Sequence, residues 1–318
     1  MLKKISEIGI VPVIKINDAE KAVPLAKALI DGGLPIAEIT FRTDAAEESI
    51  RRVSAAFPEM LVGAGTVLTV EQAKRAKDAG AKFIVSPGFN PKVVSWCLEN
   101  DITPTPGCTS PSEIEAALEL GLKAVKFFPA EQSGGIAKIK ALSAPYSGLK
   151  FIPTGGISLD NLTSYITNKK ILACGGSFMV KEDYINNCEW DKITELTRKS
   201  VNVMLGLEIG HIGINARSNS EAESIADRFS LLFGNAEKRT TSKSIFAGDS
   251  IEVMLPEGRG KNGHIAILTN SVDRACYHLG KQGFSFDTDS AKYNDDGSLK
   301  FIYFKDEIGG FGVHLVQR

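Results

Sequence analysis

The chain has 318 residues, of which 43% are hydrophobic and 24% are charged, and its formal net charge is -1. This length suits one large domain plus a smaller one, and the composition is typical of a folded globular protein rather than a disordered or fibrous one. A net charge so close to zero provides no broad basic surface, which excludes nucleic acids and anionic membranes as predicted partners.

The five cysteines are scattered and include no Cys-x-x-Cys pair of the kind found in zinc or redox sites. Near the amino terminus, Glu7, Pro12 and Lys15 interrupt the apolar run, so it does not resemble a secretory signal. No stretch approaches the roughly 18 apolar residues that a membrane span requires. We therefore expect reduced thiols and a cytoplasmic location.

Residues 9–177 alternate short runs rich in Val, Ile and Phe with longer segments of helical period. The predicted strands are residues 10–16, 36–41, 61–66, 82–86, 103–107, 124–128, 150–154 and 171–174. The predicted helices are residues 19–30, 45–56, 70–79, 91–99, 111–120, 136–142, 160–167 and 191–203. Eight strand–helix pairs in about 200 residues predict a (β/α)8 TIM barrel over residues 1–204, with its chemistry at the carboxyl ends of the strands. An open doubly wound sheet would need a Gly-rich turn after the first strand, and none is present.

The second predicted strand carries polar residues on one face. Because side chains alternate along a strand, Glu38 and Thr40 share that face, and Arg42 continues it at the carboxyl end. The spacing predicts an acid, a hydroxyl and a guanidinium at the mouth of the barrel. A structural Glu–Arg ion pair is the alternative interpretation of the same spacing.

In the sixth predicted strand, Lys126 points inward together with Ala124 and Phe128. An amine in such a setting is poorly solvated, and poor solvation favours the neutral form that can attack a ketone. The alternative is a lysine whose stem packs in the barrel while its head reaches the rim.

Two glycine-rich turns follow the last two predicted strands. Gly155 and Gly156 come after strand seven, and Gly176 and Ser177 come after strand eight. Barrels hold phosphate groups on backbone N–H groups at these two places. The turns predict a phosphate site, to which Lys15 at the end of strand one adds a positive charge.

Six motifs occur in order along residues 1–204: Glu-Ile-Thr-Phe-Arg-Thr from Glu38, Gly-Ala-Gly-Thr-Val from Gly63, Ser-Pro-Gly from Ser86, Lys-Phe-Phe-Pro-Ala-Glu from Lys126, Pro-Thr-Gly-Gly-Ile-Ser from Pro153, and Gly-Gly-Ser from Gly175. Together they resemble the bacterial 2-keto-3-deoxy-6-phosphogluconate (KDPG) aldolase family, which also acts on 4-hydroxy-2-oxoglutarate (KHG). The alternatives are a phosphosugar epimerase or isomerase barrel, because such enzymes share the phosphate turns and do not need Lys126 as a nucleophile, or a barrel with no activity.

The resemblance implies a role for each matching residue. Lys126 would carry a Schiff base, and Glu38 would move protons through a water molecule. The other implied contacts are Arg42 and Thr66 to the substrate carboxylate, Pro87, Phe128 and Thr154 in the substrate pocket, and Gly155, Gly156, Gly176 and Ser177, with Lys15, around the phosphate. The resemblance also implies a small keto acid substrate, no metal or other cofactor for the barrel, and a homotrimer formed through the barrel. Phe178 stands where some members of the family carry Trp, which leaves the preferred keto acid open.

Residues 205–318 do not continue the strand–helix alternation of residues 1–204, and they contain an internal repeat. The segment 210–214, Gly-His-Ile-Gly-Ile, recurs at 263–267 as Gly-His-Ile-Ala-Ile, 53 residues later. Each copy precedes a helical pattern, at 221–233 and 272–281, and ends in an apolar strand, at 251–255 and 313–317. We predict a second, α+β domain made of two βαβββ modules.

Three histidines and one glutamate recur in these modules at matching places. His211 and His264 are predicted to open the first strands, while Glu252 and His314 lie midway along the last strands. Such side chains can hold a divalent zinc, nickel, iron or manganese ion, or they can simply pack and form hydrogen bonds. His278 is predicted to lie on the surface.

The pattern resembles the glyoxalase, or vicinal oxygen chelate, superfamily, in which His314 would replace the usual last Glu. The resemblance implies either a second, metal-dependent activity or a non-catalytic binding or assembly module.

Overall fold

Eight parallel strands alternate with helices through the first of two structural units, Met1–Met204, and the second unit is Leu205–Arg318. The structure, a computed structural model, describes residues 1–255 and 258–318. The strands of the first unit are β1 Ile10–Ile14, β2 Ile36–Thr40, β3 Leu61–Gly65, β4 Phe83–Val85, β5 Thr103–Thr105, β6 Ala124–Phe127, β7 Lys150–Pro153 and β8 Cys174–Gly176. Its helices are α1 Leu2–Ile8, α2 Ala22–Asp31, α3 Ala46–Ala56, α4 Val70–Asp78, α5 Pro91–Glu99, α6 Pro111–Glu119, α7 Gly135–Ser143, α8 Leu162–Ile166, α9 Glu182–Asn186 and α10 Trp190–Leu205.

These strands close into a ring. Six of them pair in the order β5-β4-β3-β2-β1-β8, and β6 pairs with β7. Parallel bridges between Gly107 and Lys126 and between Thr154 and Gly175 join the two groups. The predicted eight-stranded parallel barrel is therefore confirmed, and its interior is the core of this unit.

The eighth strand lies further along the chain than predicted. Ile171 forms only an isolated bridge to Phe151, whereas Gly175 and Gly176 pair with β1. The apolar run at 171–174 misplaced the strand because buried residues before a strand resemble the strand itself. Gly176 thus lies within β8, and only Ser177 follows it.

Two short helices were not predicted. Helix α1 precedes the barrel and buries Ile5 and Ile8, and α9 precedes the last helix of the unit.

Helix α6 begins with a capping box, in which Ser110 accepts a hydrogen bond from the Glu113 backbone N–H while Glu113 accepts one from the Ser110 backbone N–H.

The second unit contains an eight-stranded sheet in its described residues. Its elements are β9 Glu208–Asn215, α11 Asn219–Leu232, β10 Lys238–Thr240, β11 Ser244–Ala247, β12 Ile251–Met254, β13 His264–Thr269, α12 Val272–Lys281, β14 Phe286–Tyr293, β15 Leu299–Phe304 and β16 Gly312–Gln317. The strand order is β10-β11-β12-β9-β13-β16-β15-β14. Each half follows the order β-α-β-β-β along the chain, with its first strand parallel to its last, and the halves join through antiparallel β9 and β13.

The two faces of this sheet differ in composition because side chains alternate along each strand. Ile245 and Val253 are buried with Ala222 and Ala226 of α11 in an apolar core. The intervening residues Phe246 and Glu252 therefore point to the opposite face, which we call the polar face.

His278 is buried in α12, so its predicted surface position was wrong. It follows Val272 and Ala275 at intervals of three residues, and these two side chains are also buried.

Among the described residues, no helix combines the length and the hydropathy needed to cross a membrane.

Candidate active site and metal-binding cluster

Lys126 and Glu38 meet inside the barrel. Strands β6 and β2 place the Lys126 Nζ 3.1 Å from Glu38 Oε1, and the two residues are 6% and 3% exposed. The inward orientation of both side chains follows from the alternation along their strands, since Val125 and Phe127 are fully buried on the other side of β6. Burial makes this pair sensitive to its surroundings, because neither charge is well solvated by bulk water.

Arg42 is not the ionic partner of Glu38. Its Nε donates to Thr40 Oγ1 at 3.2 Å, and Thr40 Oγ1 in turn donates to the Ile14 carbonyl at 2.8 Å. The alternative of a structural Glu38–Arg42 ion pair thus does not describe this barrel. The Arg42 guanidinium is instead exposed at the carboxyl end of β2.

A glycine makes room for the Glu38 carboxylate. Gly65 pairs with Thr40 across β2 and β3, and a Cβ atom on Gly65 would overlap the Glu38 side chain. The next residue, Thr66, has a left-handed backbone with φ of 56°. Such a conformation is uncommon for a residue other than glycine, and functional sites are one of the places where it is found.

A cavity of about 10 Å³ lies beside Lys126 and Glu38, and Thr105 of β5 also lines it. This volume is at the lower limit for holding one water molecule, and Glu38, Lys126 and Thr105 are the polar residues in a mostly apolar lining. Thr105 was not among the predicted site residues. Its position in the predicted strand 103–107 was a signal, because alternate residues of a barrel strand face the interior.

Of the three residues predicted to line the substrate pocket, Phe128 lies beside the lysine. The Phe128 ring is 39% exposed, and its centroid lies 5.5 Å from the Lys126 Nζ. Thr154 is buried at the end of β7, and its hydroxyl has no hydrogen-bond partner among the described residues. An unpaired buried hydroxyl is uncommon and is available to a bound polar group. Pro87 is half-buried just after β4.

The predicted phosphate residues occupy the ends of β7 and β8. Gly155 and Gly156 have positive φ angles of 96° and 81°, so their backbone adopts a conformation that favours glycine. Gly176 is buried in β8, and Ser177 is exposed after it. Lys15 follows β1, where its ammonium forms an ion pair at 2.9 Å with Glu182.

A carboxylate and a phenol that were not predicted as site residues support the first of these turns. The Tyr165 hydroxyl donates a hydrogen bond to Glu131 Oε1, and a Cβ atom on Gly156 would overlap the Glu131 side chain. Burial, together with Glu131, raises the pKa of Tyr165 far above its usual value. The phenol therefore stays protonated and keeps donating to Glu131.

Three side chains of the second unit converge on the polar face. The distances are 3.1 Å between His211 Nε2 and His264 Nε2, 3.0 Å between His264 Nε2 and Glu252 Oε2, and 3.1 Å between His211 Nε2 and Glu252 Oε2. Ser244 Oγ donates to the other carboxylate oxygen at 2.6 Å. Although burial opposes ionisation, the hydrogen bonds from His211, His264 and Ser244 lower the pKa of Glu252 well below its usual value.

The three atoms His211 Nε2, His264 Nε2 and Glu252 Oε2 form a triangle. Hydrogen bonds cannot make all three edges of this triangle favourable at once. If both histidines donate to Glu252, two N–H groups face each other along the remaining edge. If only one Nε2 carries a proton, the lone pair of the other faces the carboxylate. In either case one edge is repulsive, and a cation in contact with all three atoms removes the repulsion.

The dimensions of the triangle also fit a metal ion. Bonds of about 2.0–2.2 Å at tetrahedral or octahedral angles separate neighbouring ligand atoms by about 2.9–3.5 Å. The three observed distances fall in this range. A donor set of two imidazoles and one carboxylate suits zinc, nickel, iron and manganese.

The predicted fourth ligand, His314, lies beside this group and outside it. Among the described residues, only His211, Glu252 and His264 have ligand atoms that all lie within 4.8 Å of one another. The His314 ring packs against Phe301 and Tyr303, with centroid distances of 4.6 Å and 4.8 Å, and its centroid also lies 5.3 Å from that of His264.

The environment of His314 keeps its imidazole neutral. The internal repeat places His314 at the point of the second module that corresponds to Glu252 in the first. Burial, with help from His264 and His211, lowers the pKa of His314 to about 3. Glu252 pairs with Gly213, and His314 pairs with Ala266 at the equivalent point of the second module.

Strand β9 starts at Glu208, so His211 lies within its strand rather than opening it as predicted.

Comparisons with known proteins cover the barrel. Residues 1–196 match the family described as KDPG and KHG aldolase. The chain is 48% identical over 204 residues to the 2-dehydro-3-deoxy-phosphogluconate aldolase of Haemophilus influenzae, covering 64% of this chain and 96% of that one. It is 42% identical over 192 residues to the KHG/KDPG aldolase of Escherichia coli, covering 60% and 90% of the two chains.

A solved structure of a KDPG aldolase from Legionella pneumophila, with pyruvate captured as a covalent carbinolamine, is 38% identical. It has a TM-score of 0.61 and covers 62% of this chain and 97% of that chain. The fold and these relatives define the first unit as an α/β-barrel lyase of the aldolase class. The chain belongs to the KDPG and KHG aldolase family, and the comparisons do not favour an epimerase or isomerase barrel.

Proposed function

We propose that the barrel is a Schiff-base aldolase that releases pyruvate from a 2-keto acid. The substrate is KDPG, which also yields glyceraldehyde 3-phosphate, or KHG, which also yields glyoxylate. The observation that carries the proposal is the buried Lys126 Nζ, 3.1 Å from Glu38 Oε1. A relative named for 2-dehydro-3-deoxy-phosphogluconate and another named for both KHG and KDPG support this choice.

In the proposed reaction, the Lys126 amine attacks the C2 ketone, and loss of water leaves an iminium. Removal of the proton from the C4 hydroxyl breaks the C3–C4 bond. The electron pair of that bond moves toward the iminium and forms an enamine, while the aldehyde product leaves. Protonation at C3 and hydrolysis then release pyruvate and the free amine.

Glu38 is the proposed acid and base in these proton transfers. Its carboxylate lies close enough to the amine to act on groups attached to it, either directly or through one water molecule. The water-sized cavity beside both side chains supports the indirect route. Thr105, which lines that cavity, is suited to orient the water.

The remaining contacts place the substrate. Arg42 and Thr66 end neighbouring strands, and we assign the substrate carboxylate to them. We assign the substrate pocket to Phe128, which lies beside the lysine, and to Pro87 and Thr154, which follow β4 and β7. The unpaired Thr154 hydroxyl supports a contact with a polar group. The phosphate contacts assigned here are Gly155, Gly156, Gly176 and Ser177, with Lys15 available once it releases Glu182.

Borohydride trapping with pyruvate tests the nucleophile. Reduction of the imine should attach pyruvate to the peptide that contains Lys126 in the native chain, as measured by mass spectrometry. Lys126→Ala should form no adduct and show no turnover. Lys123→Ala removes an exposed lysine just before the same strand and should behave like the native chain. An adduct on Lys126→Ala would overturn the assignment.

A panel of keto acids tests the substrate. Pyruvate release from KDPG, from its galactonate-type epimer and from KHG should be measured with the full chain. Faster release from the phosphorylated acids would support a phosphate contact at Gly155 and Gly156. Equal release from all three would argue against it.

We also propose a divalent metal site formed by His211, Glu252 and His264. The mutual distances of their ligand atoms support the site, as does the edge that hydrogen bonds cannot satisfy. A bound metal would supply a Lewis acid that polarises an oxygen of a ligand. The resemblance to the glyoxalase superfamily supports a second, metal-dependent activity, and a non-catalytic binding module is the alternative.

Metal analysis of the full chain tests this site. After exposure to Zn²⁺ or Co²⁺ and removal of the excess, the native chain should retain one equivalent of metal. Glu252→Gln has the same shape and should lose it, whereas Glu208→Gln, an exposed residue of the same sheet, should keep it. Equal metal content in all three chains would contradict the site.

A trimeric barrel and a cytoplasmic location remain predictions. The family resemblance supports the trimer, for which light scattering of the eluting protein should give about three times the chain mass of 34.2 kDa. A monomeric mass would contradict it.

A further inference from the structure

Both carbonyl groups of the Gly155–Gly156 turn are held by donors from outside the turn. The Gly155 carbonyl accepts a hydrogen bond from the Glu131 backbone N–H at 3.1 Å. The Gly156 carbonyl accepts one from the Asn161 side-chain amide at 3.0 Å. The Asn161 side chain also accepts a hydrogen bond from the Ser158 backbone N–H at 2.9 Å, so it binds this segment at two points.

These carbonyl contacts fix the direction of two N–H groups. A peptide unit is planar, and in its trans form the C=O and the N–H point in opposite directions. The peptide bonds after Gly155 and Gly156 are trans. The N–H of Gly156 therefore points away from the Glu131 N–H. The N–H of Ile157 likewise points away from the Asn161 amide.

The same two N–H groups are not used within the protein. Among the residues that the structure describes, none accepts a hydrogen bond from the N–H of Gly156 or of Ile157. Ile157 is 6% exposed, and a buried residue whose N–H has no partner is uncommon. Successive backbone N–H groups without acceptors are an arrangement that binds anions.

We infer that Asn161 is a positioning residue for the substrate phosphate, whose oxygen atoms accept hydrogen bonds from the N–H groups of Gly156 and Ile157. This inference rests on the proposed aldolase function and deepens it. It adds Ile157 to the phosphate contacts and makes the phosphorylated acid KDPG, rather than KHG, the preferred substrate. Asn161 acts through the turn, since its amide donates to the Gly156 carbonyl.

Asn161 is the one of the two anchors that a substitution can remove. The Glu131 contact comes from the backbone, which a change of side chain leaves in place. The Asn161 contact comes from a side chain. Without it, the peptide unit between Gly156 and Ile157 is free to rotate, because glycine accepts a wide range of backbone angles. The Ile157 N–H would then lose its fixed direction.

The test compares KDPG with KHG in the full chain. Both acids react at Lys126 in the proposed mechanism, and only KDPG carries a phosphate. Asn161→Ala should raise KM for KDPG about tenfold with little change in kcat, because a contact remote from the breaking bond contributes equally to the bound substrate and the transition state. The kinetic constants for KHG should match those of the native chain. Inhibition by inorganic phosphate should weaken in parallel with KDPG binding.

Two further variants separate positioning from folding. Asn168→Ala removes an asparagine of similar exposure just beyond α8, where its side chain accepts a hydrogen bond from the Lys170 N–H at 2.9 Å, and it should match the native chain. Asn161→Asp keeps an acceptor for Ser158 but has no donor for the Gly156 carbonyl. It should show the same difference between KDPG and KHG, even if Asn161→Ala folds poorly. Borohydride trapping with pyruvate should be native in every variant.

Each outcome decides one of the two proposals. If the native chain releases pyruvate from neither acid, the proposed function and this inference both fail. If it cleaves both acids equally well and inorganic phosphate does not inhibit it, the aldolase stands and the inference is overturned. An unchanged KM for KDPG in both Asn161 variants would also overturn it, as would an equal rise in KM for both acids or the same KDPG-specific rise in Asn168→Ala.

Discussion

Lys126 Nζ and Glu38 Oε1 lie 3.1 Å apart, although 88 residues separate them in the chain. Strands β6 and β2 bring the two side chains together in a closed ring, where both are shielded from bulk water. An amine beside a carboxylate in such a setting has the two groups that Schiff-base chemistry uses, a nucleophile and a proton carrier.

Glu38→Gln should separate these two roles. Glutamine preserves size and burial but cannot accept the protons, so turnover should fall about 10²- to 10⁴-fold. Borohydride should still trap pyruvate on Lys126, because the amine remains. Steady-state kinetics and mass spectrometry of the trapped chain measure both effects, and native turnover in Glu38→Gln would rule out Glu38 as the proton carrier.

Gly65→Ala should impair the barrel without changing any catalytic residue. The added Cβ would overlap the Glu38 carboxylate and displace it from Lys126. A displacement of about 1 Å commonly costs about 100-fold in rate, and we expect kcat to fall by that order. Gly148→Ala is the matched control, because a Cβ there meets no atom within 4 Å. Equal activity of the two variants would mean that the Glu38 position tolerates movement.

Gly213→Ala should weaken metal binding in the second unit. A Cβ at this position would overlap the His264 imidazole, which is one of the three proposed ligands. We expect the affinity for Zn²⁺ to fall at least about tenfold, measured by competition with a chromogenic chelator. Gly280→Ala lies in α12 with nothing within 4 Å of the added Cβ, and it should bind as the native chain does.

Glu113→Ala should reveal a pH-dependent contribution of the α6 capping box. Burial acts to raise the pKa of Glu113, but hydrogen bonds from Thr109 and Ser110 outweigh it, and the pKa lies below the usual 4.5. A lowered pKa in the folded state means that the ionised cap stabilises the fold above pH 4.5. That stability is lost as the pH falls through the folded-state value.

Near pH 7 the variant should therefore lose about 1 kcal/mol of unfolding free energy in urea titrations. The difference from the native chain should shrink below pH 4.5. Glu119→Ala, at the other end of the same helix, should show no such change. A difference that persists unaltered at pH 3 would indicate lost packing rather than a lost charge.

The thiols should differ sharply in reactivity. Burial raises the pKa of Cys97 and of Cys108 to about 12, with Glu113 adding to the shift at Cys108. At pH 8 only about one in ten thousand of these groups is a thiolate, so iodoacetamide should spare them in the native chain. Cys188 is exposed and should be labelled first. Peptide mapping before and after urea checks this order, and early labelling of Cys108 would contradict it.

Much of the architecture was predictable because it depends on local periodicity. Eight apolar runs separated by helical patterns indicated the barrel, and alternation along each strand was enough to turn Lys126 and Glu38 inward. The 53-residue repeat likewise indicated two βαβββ modules. The eighth strand was placed too early because residues 171–173 are apolar and buried although they precede β8, which begins only at Cys174.

The sequence by itself therefore determined which residues face the barrel interior and which histidines recur at matching places, since both depend on spacing along one chain. Only the tertiary structure decided which of these side chains touch. Strand register brings the Nε2 atoms of His211 and His264 to 3.1 Å, while His314 packs beside the Phe301 and Tyr303 rings and lies outside the cluster. Contacts between distant strands depend on how the sheet closes and on which rings fill the space, and periodicity carries no information about either.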